Sequence, residues 1–328
     1  MRAMKGSAPA LLALAALVLC GCQRHSSKEV YYLIAANMSA PYWQPAITGF
    51  KQAAAEYGVT ARVAGPDTRD AQAELTALQQ ATAAKPDGIL ISVTDAQVLG
   101  PGINAAMDAG VPVITMDSDA PSSRRLYFIG TNNLEAGRLG GHRVVDRLGG
   151  KGNVVFFTLA GQPNTDERLK GFKDVFSTYP GIKVVGVVDI QSDPEIAFDK
   201  TQMFMGQTGA QKIDAFISLE SVSGKMVADA VKRAGATDRL LVAFDLNPDT
   251  LSAIKAGIID STIVQKPYTM GYLGLQGLDQ IYHYPPRQMA MSTGVNPFAQ
   301  LPEFVDTGTS LVDKSNVDLY IAAAASHQ

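Results

Sequence analysis

The chain is poor in the residues that most chemistry needs. Its 328 residues include four histidines, two cysteines and one tryptophan. The histidines fall at His25, His142, His283 and His327, with no metal-ligand spacing among them, so no metal site is expected. No Gly-x-Ser-x-Gly elbow occurs, which leaves a serine triad without a nucleophile. A formal net charge of -3 provides no basic stripe, so DNA and RNA are not expected partners. No nucleotide fingerprint is present either. Gly149, Gly150 and Gly152 follow a helical run and precede a strand, whereas a phosphate-cradling loop requires a strand, then the glycines, then a helix. These glycines read as a helix stop, and no cofactor is expected.

What is present is globular and exported. A 46% hydrophobic content with 18% charged residues suits packed cores, and the length suits two domains. Arg2 and Lys5 precede an apolar run from about Ala8 to Cys20, too short to span a bilayer and of the right form for an export signal. "LCGC" at Leu19 to Cys22 resembles a bacterial lipobox, with Gly21 as the small residue before the cut and Cys22 as the lipidated residue. Residues 1–21 are then the signal peptide and 22–29 a polar tether to the membrane. Cleavage leaves Cys22 as the sole cysteine, so no internal disulfide can form and stability must come from the cores.

From Val30 onward, strand-like apolar runs such as "VYYLIAA", "GILIS", "NVVFFTL" and "LLVAF" alternate with amphipathic segments of helical length. Gly or Pro ends many of the helical runs, as in "KPDG" and "RAGATD". This βαβ pattern predicts an α/β fold with doubly wound parallel sheets. Roughly ten strands exceed what one small sheet usually holds, so two sheets and two lobes are expected. The chain is expected to cross between lobes near Thr131 and Lys266. The N-terminal lobe takes 30–131 plus 266–302 and the C-terminal lobe 132–265 plus 303–328, with a last strand, turn and short helix in the tail.

The stretches "IAANMSAPYWQPAITGFKQAAAEYG", "KPDGILISVTDAQVLGPGINAAMDAGVPVITMDSD", "FIGTNNLEAGRLGG", "ERLKGFKDVF" and "LLVAFDLNPDTLSAIKAGIIDSTIVQKPYTMGYLG" occur in an order and spacing that resembles the ribose-binding type of periplasmic sugar-binding proteins of ABC importers. The resemblance covers nearly all of Val30 to Tyr320. It implies two lobes joined by a three-strand hinge, with a Venus-flytrap cleft that closes on a small polyhydroxylated ligand. "GTNN" then sits at the first crossing, and Gly137, Gly140 and Gly141 are expected to let their helix pack closely on its sheet.

A sugar offers hydroxyls that both donate and accept and ring faces rich in C–H, which carboxylates, amides, guanidinium groups and aromatic rings complement. Such groups belong at the carboxyl ends of strands. Asn37 follows the first strand, and Tyr42 and Trp43 match positions where the family stacks the sugar. Asp117 matches an aspartate that accepts from ligand hydroxyls. Ser118 follows it where ribose-type members carry arginine, so the resemblance does not make the ligand ribose. Arg168 matches the site arginine, with Asn164 one helical turn earlier. Glu220 stands where the family usually has asparagine, Asp245 matches the "FD" pair, and Gln265 the hinge-side glutamine.

Asp117, Glu220 and Asp245 against Arg168 alone leave the expected cleft negative, which is costly in a buried site. Lys266 or Lys225 leaning in, a protonated or averted Glu220, or a cationic ligand would each resolve it. A carboxylate pair such as Asp117 with Asp245 also suits glycoside hydrolysis, but sugar binding alone needs the same pair, and the chain is read as a non-enzyme. The expected function is a periplasmic, lipid-anchored, monomeric solute receptor that delivers a monosaccharide or polyol to an ABC permease in the inner membrane. The alternative is a sensor docking on a chemotaxis or two-component receptor.

Overall fold

The computed structural model describes residues 25–236, 238–286 and 299–325. The signal segment, Cys22 and the first part of the tether lie outside these residues. The chain opens with β1 (Val30–Ile34), α1 (Trp43–Tyr57), β2 (Thr60–Ala64), α2 (Ala71–Ala83), β3 (Gly88–Ile91), α3 (Ala96–Asp108), β4 (Val113–Met116) and β5 (Phe128–Gly130). It continues with α4 (Asn133–Leu148), β6 (Lys151–Thr158), α5 (Pro163–Phe176), β7 (Gly181–Asp189), α6 (Pro194–Met205), β8 (Ala215–Ser218) and α7 (Ser223–Arg233). Next come β9 (Leu240–Phe244), α8 (Pro248–Lys255), β10 (Ser261–Val264), α9 (Pro267–His283), β11 (Phe304–Asp306), β12 (Ser310–Asp313) and α10 (Val317–Ala325).

Two six-stranded sheets result, ordered β11-β5-β4-β3-β1-β2 and β12-β10-β9-β8-β6-β7. The two orders are the same pattern written twice. Central strands β3, β4, β9 and β10 are buried along their whole length, as expected where helices cover both faces of a parallel sheet. Alternate residues supply opposite faces. In the first sheet Tyr31, Leu33 and Leu90 pack under α1 and α9, while Ile34, Ile89 and Ile91 pack under α2 and α3. In the second, Phe156 and Ile217 meet α4 and α5, and Phe157 and Phe216 meet α6 and α7. Local chemistry marks the boundaries: Asp70, Asp95, Asn132 and Asp193 cap helix N-termini through their side chains. Gly149 ends α4 in the left-handed region at φ 63°, as the helix-stop reading required.

Four details depart from the sequence expectation. Residues 304–306 pair with β5 in the first sheet, so the last crossing lies between β11 and β12 rather than at 303. β12 runs antiparallel to β10, so the second sheet is parallel except at that edge. The tether is docked from His25 onward: His25 bonds Asp279 at 3.0 Å, and Thr60 Oγ1 donates to the Ser27 carbonyl at 2.7 Å. Finally, the α4 glycines face a helix and not the sheet. A Cβ on Gly137 would stand 2.1 Å from the Arg168 carbonyl oxygen, one on Gly140 2.2 Å from the Phe172 ring, and one on Gly141 2.9 Å from Val175. Gly171 of α5 is equally tight against the Leu134 carbonyl at 2.2 Å. The first lobe repeats the device where α1 meets α9 through Gly49 and Gly271.

Because backbone lies opposite Gly137, a substitution there has no flexible side chain to displace. Gly137→Ala is expected to lower stability by about 1–3 kcal/mol, read as a shift in urea midpoint at unchanged slope.

Candidate ligand-binding cleft

The carboxyl ends of both sheets, and the loops that follow them, face one another across a cavity of about 110 Å³, several times the ~10–15 Å³ that one water needs on the same measure. The first lobe lines it with Asn37 after β1, Tyr42 and Trp43 at the start of α1, Arg69 between β2 and α2, and Asp117 after β4. The second lobe brings Gln162, Asn164 and Arg168 around the start of α5, Glu220 after β8, Asp245 after β9 and Gln265 after β10. All nine residues singled out in the sequence therefore line one cavity, from both lobes.

Asp117 and Asp245 occupy equivalent places in the two lobes, and both adopt left-handed backbone, φ 63° and 73°. Such a conformation is unfavourable for a residue with a Cβ and persists only where its surroundings hold it. Here the amide of Asp117 donates to the Ile129 carbonyl at 3.0 Å and that of Asp245 to Ile263 at 2.8 Å. The turn aims each carboxylate into the cavity. Asp117 accepts from Tyr42 Oη at 2.5 Å and, across the cleft, from Asn164 Nδ2 at 3.4 Å. Asp245 accepts from Gln265 Nε2 at 2.8 Å.

Arg168 is 1% exposed. Its Nε donates to Asn133 Oδ1 at 2.9 Å, its Nη1 to the Leu219 carbonyl at 2.7 Å, and its guanidinium lies 4.5 Å from the centre of the Phe244 ring. Two of its three nitrogens are committed to the protein. Among the described residues Arg168 Nη2 and Gln265 Oε1 have no hydrogen-bond partner. One buried donor and one buried acceptor are thus left for something in the cavity to satisfy.

The remaining residues divide by role. Asn37 Oδ1 accepts from the amides of Ser39 and Ala40, both at 3.1 Å, shaping the loop into α1. Tyr42 turns into the cleft, whereas Trp43 is 6% exposed and packs mainly into the first-lobe core. The rings meet edge to face at 5.2 Å. Glu220 accepts from the amides of Val222 and Ser223 at 2.6 and 3.2 Å and from the Ser223 hydroxyl, so its charge is spent at the N-terminus of α7.

Sequence reasoning missed Arg69 and Gln162. Arg69 Nε donates across the cleft to Gln162 Oε1 at 3.1 Å, and Nη2 donates to the Thr94 carbonyl at 3.1 Å. Its position past a strand carboxyl end was the available signal. Neither lysine expected to lean in lines the cavity, and Lys225 pairs with Asp229 at 2.5 Å.

A family model described as a periplasmic binding protein domain matches residues 31–282. The chain belongs to the periplasmic binding protein family. Among curated relatives, the ribose import binding protein of Salmonella typhimurium is 24% identical over 260 residues, 78% of this chain and 85% of the relative. The xylitol-binding protein of Mycolicibacterium smegmatis is 29% identical over 181 residues, 55% and 51%. Among solved structures, a sugar-binding protein of a sugar ABC transporter from Bacillus halodurans superposes with TM-score 0.80 at 33% identity, covering 89% of this chain and 100% of that one. An arabinose-binding protein from Geobacillus stearothermophilus gives 0.76 at 31%, covering 89% and 99%. The XylFII–LytSN complex gives 0.75 at 28%, covering 88% and 98%. The ribose, xylitol, sugar and arabinose relatives are named as binding proteins, and as a member of the periplasmic binding protein family this chain is a non-enzyme of the extracytoplasmic space.

The charge balance of the binding protein's cleft is three carboxylates against Arg168 and Arg69. Burial raises the carboxyl groups of Asp117, Glu220 and Asp245 above their ordinary range. Asp117 is pushed up to about 6 by burial, against the opposing effect of its Tyr42 bond and Arg168. A carboxyl raised in the folded state favours folding when protonated, so its contribution is present below the unfolded value near 4 and is lost as pH rises through about 6. Without ligand, Asp117→Asn is expected to gain stability over the wild type between pH 4 and 7, by up to about 3 kcal/mol. Urea unfolding of both proteins across that range checks the sign. A constant difference would show that Asp117 does not titrate there.

Proposed function

We propose that the protein is a lipid-anchored receptor that closes its two lobes on a monosaccharide or related polyol and delivers it to an ABC permease. The observation that carries this reading is the set of inward groups with spare hydrogen-bonding capacity. Arg168 Nη2 can donate, Gln265 Oε1 can accept, and the Asp117 and Asp245 carboxylates each retain acceptor sites. A vicinal diol both donates and accepts from adjacent oxygens and satisfies such a set; an apolar ligand would leave it unpaired. Tyr42 supplies an aromatic surface beside Asp117 for a ring face. Relatives named for ribose, arabinose and xylitol support the class. The Arg69 to Gln162 and Asn164 to Asp117 bonds cross the cleft and favour the closed arrangement, so ligand binding shifts the population between open and closed lobes. Cys22 carries the lipid, and the protein acts as a monomer.

A protein starting at Gln23 keeps every described residue. Screened by thermal shift against pentoses, hexoses, polyols, inositols and amino sugars, it is expected to rise in melting temperature with one chemical class. A ligand at a hundredfold excess over Kd adds about 2.7 kcal/mol. Arg168→Lys and Asp245→Asn are expected to weaken that ligand at least tenfold. No shift from any member of the panel, with folded protein, overturns the sugar reading.

A neighbour solved as the XylFII–LytSN complex has a protein partner, which leaves a second reading, a sensor docking on a chemotaxis or two-component receptor. Uptake of radiolabelled ligand separates the two: the transport reading expects uptake to fall on deletion of the gene, the sensor reading expects it unchanged.

A further inference from the structure

The histidines expected to be scattered are not all scattered. His25, at the start of the described chain, and His283, in the last turn of α9, converge with Asp279 so that one ligand atom from each lies within 4.8 Å of the others. His25 Nε2 is 3.0 Å from Asp279 Oδ2, and His283 Nε2 is 3.7 Å from Asp279 Oδ1. Glu29, just before β1, adds its Oε2 at 3.0 Å from His283 Nε2. Asp279 and His283 are one helical turn apart and project from one side of α9.

We propose that His25, Asp279 and His283 form a metal site for Zn²⁺ or a similar first-row divalent ion, clipping the N-terminal segment to α9, with Glu29 as a neighbouring carboxylate beside His283. Bonds of 2.0–2.1 Å in tetrahedral geometry place neighbouring donor atoms roughly 3.3 Å apart, and the three ligand atoms, all within 4.8 Å of one another, need only small side-chain adjustments to reach that spacing, with water completing the coordination. Two imidazoles and one carboxylate form a donor set suited to zinc and unlike the all-oxygen sets of calcium or magnesium. The ligands are held in place. The side chains of Asp279, His283 and Glu29 are 8%, 7% and 7% exposed, and Tyr31 Oη approaches Asp279 Oδ1 at 3.5 Å. Glu29 Oε1 accepts from the Ser26 amide at 2.7 Å, leaving Oε2 turned to His283. His25 closes the open side, 36% exposed, with its ring stacked on Tyr57 at 5.2 Å. Among the described residues neither Glu29 nor Asp279 pairs with lysine or arginine, so a dication supplies charge that the fold does not.

The site lies at the amino ends of the first sheet's strands, at the pole opposite the cleft, and does not depend on the sugar reading. It joins the described chain at His25 to the helix that begins at a lobe crossing.

The test uses the tag-free protein from Gln23, stripped with chelator, with Co²⁺ as spectroscopic probe and Zn²⁺ as competitor. The expected result is one Co²⁺ per chain with the visible absorption of a tetrahedral N/O site, displaced by one equivalent of Zn²⁺. His25→Ala and His283→Ala are each expected to weaken binding at least tenfold, while His142→Ala, an exposed histidine on α4, and Asp245→Asn leave it unchanged. Because His25 is surface-exposed, its variant keeps the fold. Absence of a stoichiometric cobalt spectrum, or zinc affinity unchanged in His25→Ala, overturns the proposal.

Discussion

The cleft depends on the burial of one guanidinium. Arg168 is among the largest fully buried side chains, and a cation in that position persists only because carbonyl, amide and aromatic partners replace its water. Those partners come from α4, from the loop after β8, and from the end of β9. Bringing them together requires α4 and α5 to touch backbone to backbone, which Gly137 and Gly171 alone permit. The helix contact in the second lobe is therefore also a positioning device for the one nitrogen left facing the cavity.

The second organising feature is duplication. Both sheets follow one strand order, and in both the fourth strand ends on an aspartate forced into left-handed backbone. Two carboxylates thus approach a shared cavity from opposite lobes at the same step of the fold. The electrostatic cost of this convergence is met partly by Arg168 and Arg69, partly by raised carboxyl pKa values, and at Glu220 by the N-terminus of α7. Of the resolutions left open by charge counting in the sequence, no lysine leans in and Glu220 is turned to the N-terminus of α7, while Arg69 reaches in from a loop as a further component.

The two poles of the first lobe then have different tasks. Strand carboxyl ends carry uncommitted polar atoms around a cavity, as doubly wound sheets do. Strand amino ends carry histidine and carboxylate groups already in contact with one another, where the N-terminal segment meets α9. Under the proposed lipid anchoring, a firm junction at that pole would leave the cleft free to open and close.

The alternation of apolar runs and amphipathic segments and the glycine and proline stops were legible because they are local: each follows from side-chain periodicity or backbone preference within a few residues. The positions of Asp117, Asp245 and Gln265 on the cavity were legible for a related reason, since residues just past strand carboxyl ends are placed by the topology itself, whereas Arg168 was reached through the family resemblance. Arg69 was not, because its reach across the cleft depends on how the two lobes close. The His25, Glu29, Asp279 and His283 cluster was not, because it joins positions 254 residues apart. Nor was the division of the tail, where β11 and β12 enter different sheets through edge pairing that no local pattern encodes. The sequence by itself determined the elements, their order and the strand-end chemistry. Tertiary structure alone decided which distant groups meet, because long-range contact depends on the packing of whole layers.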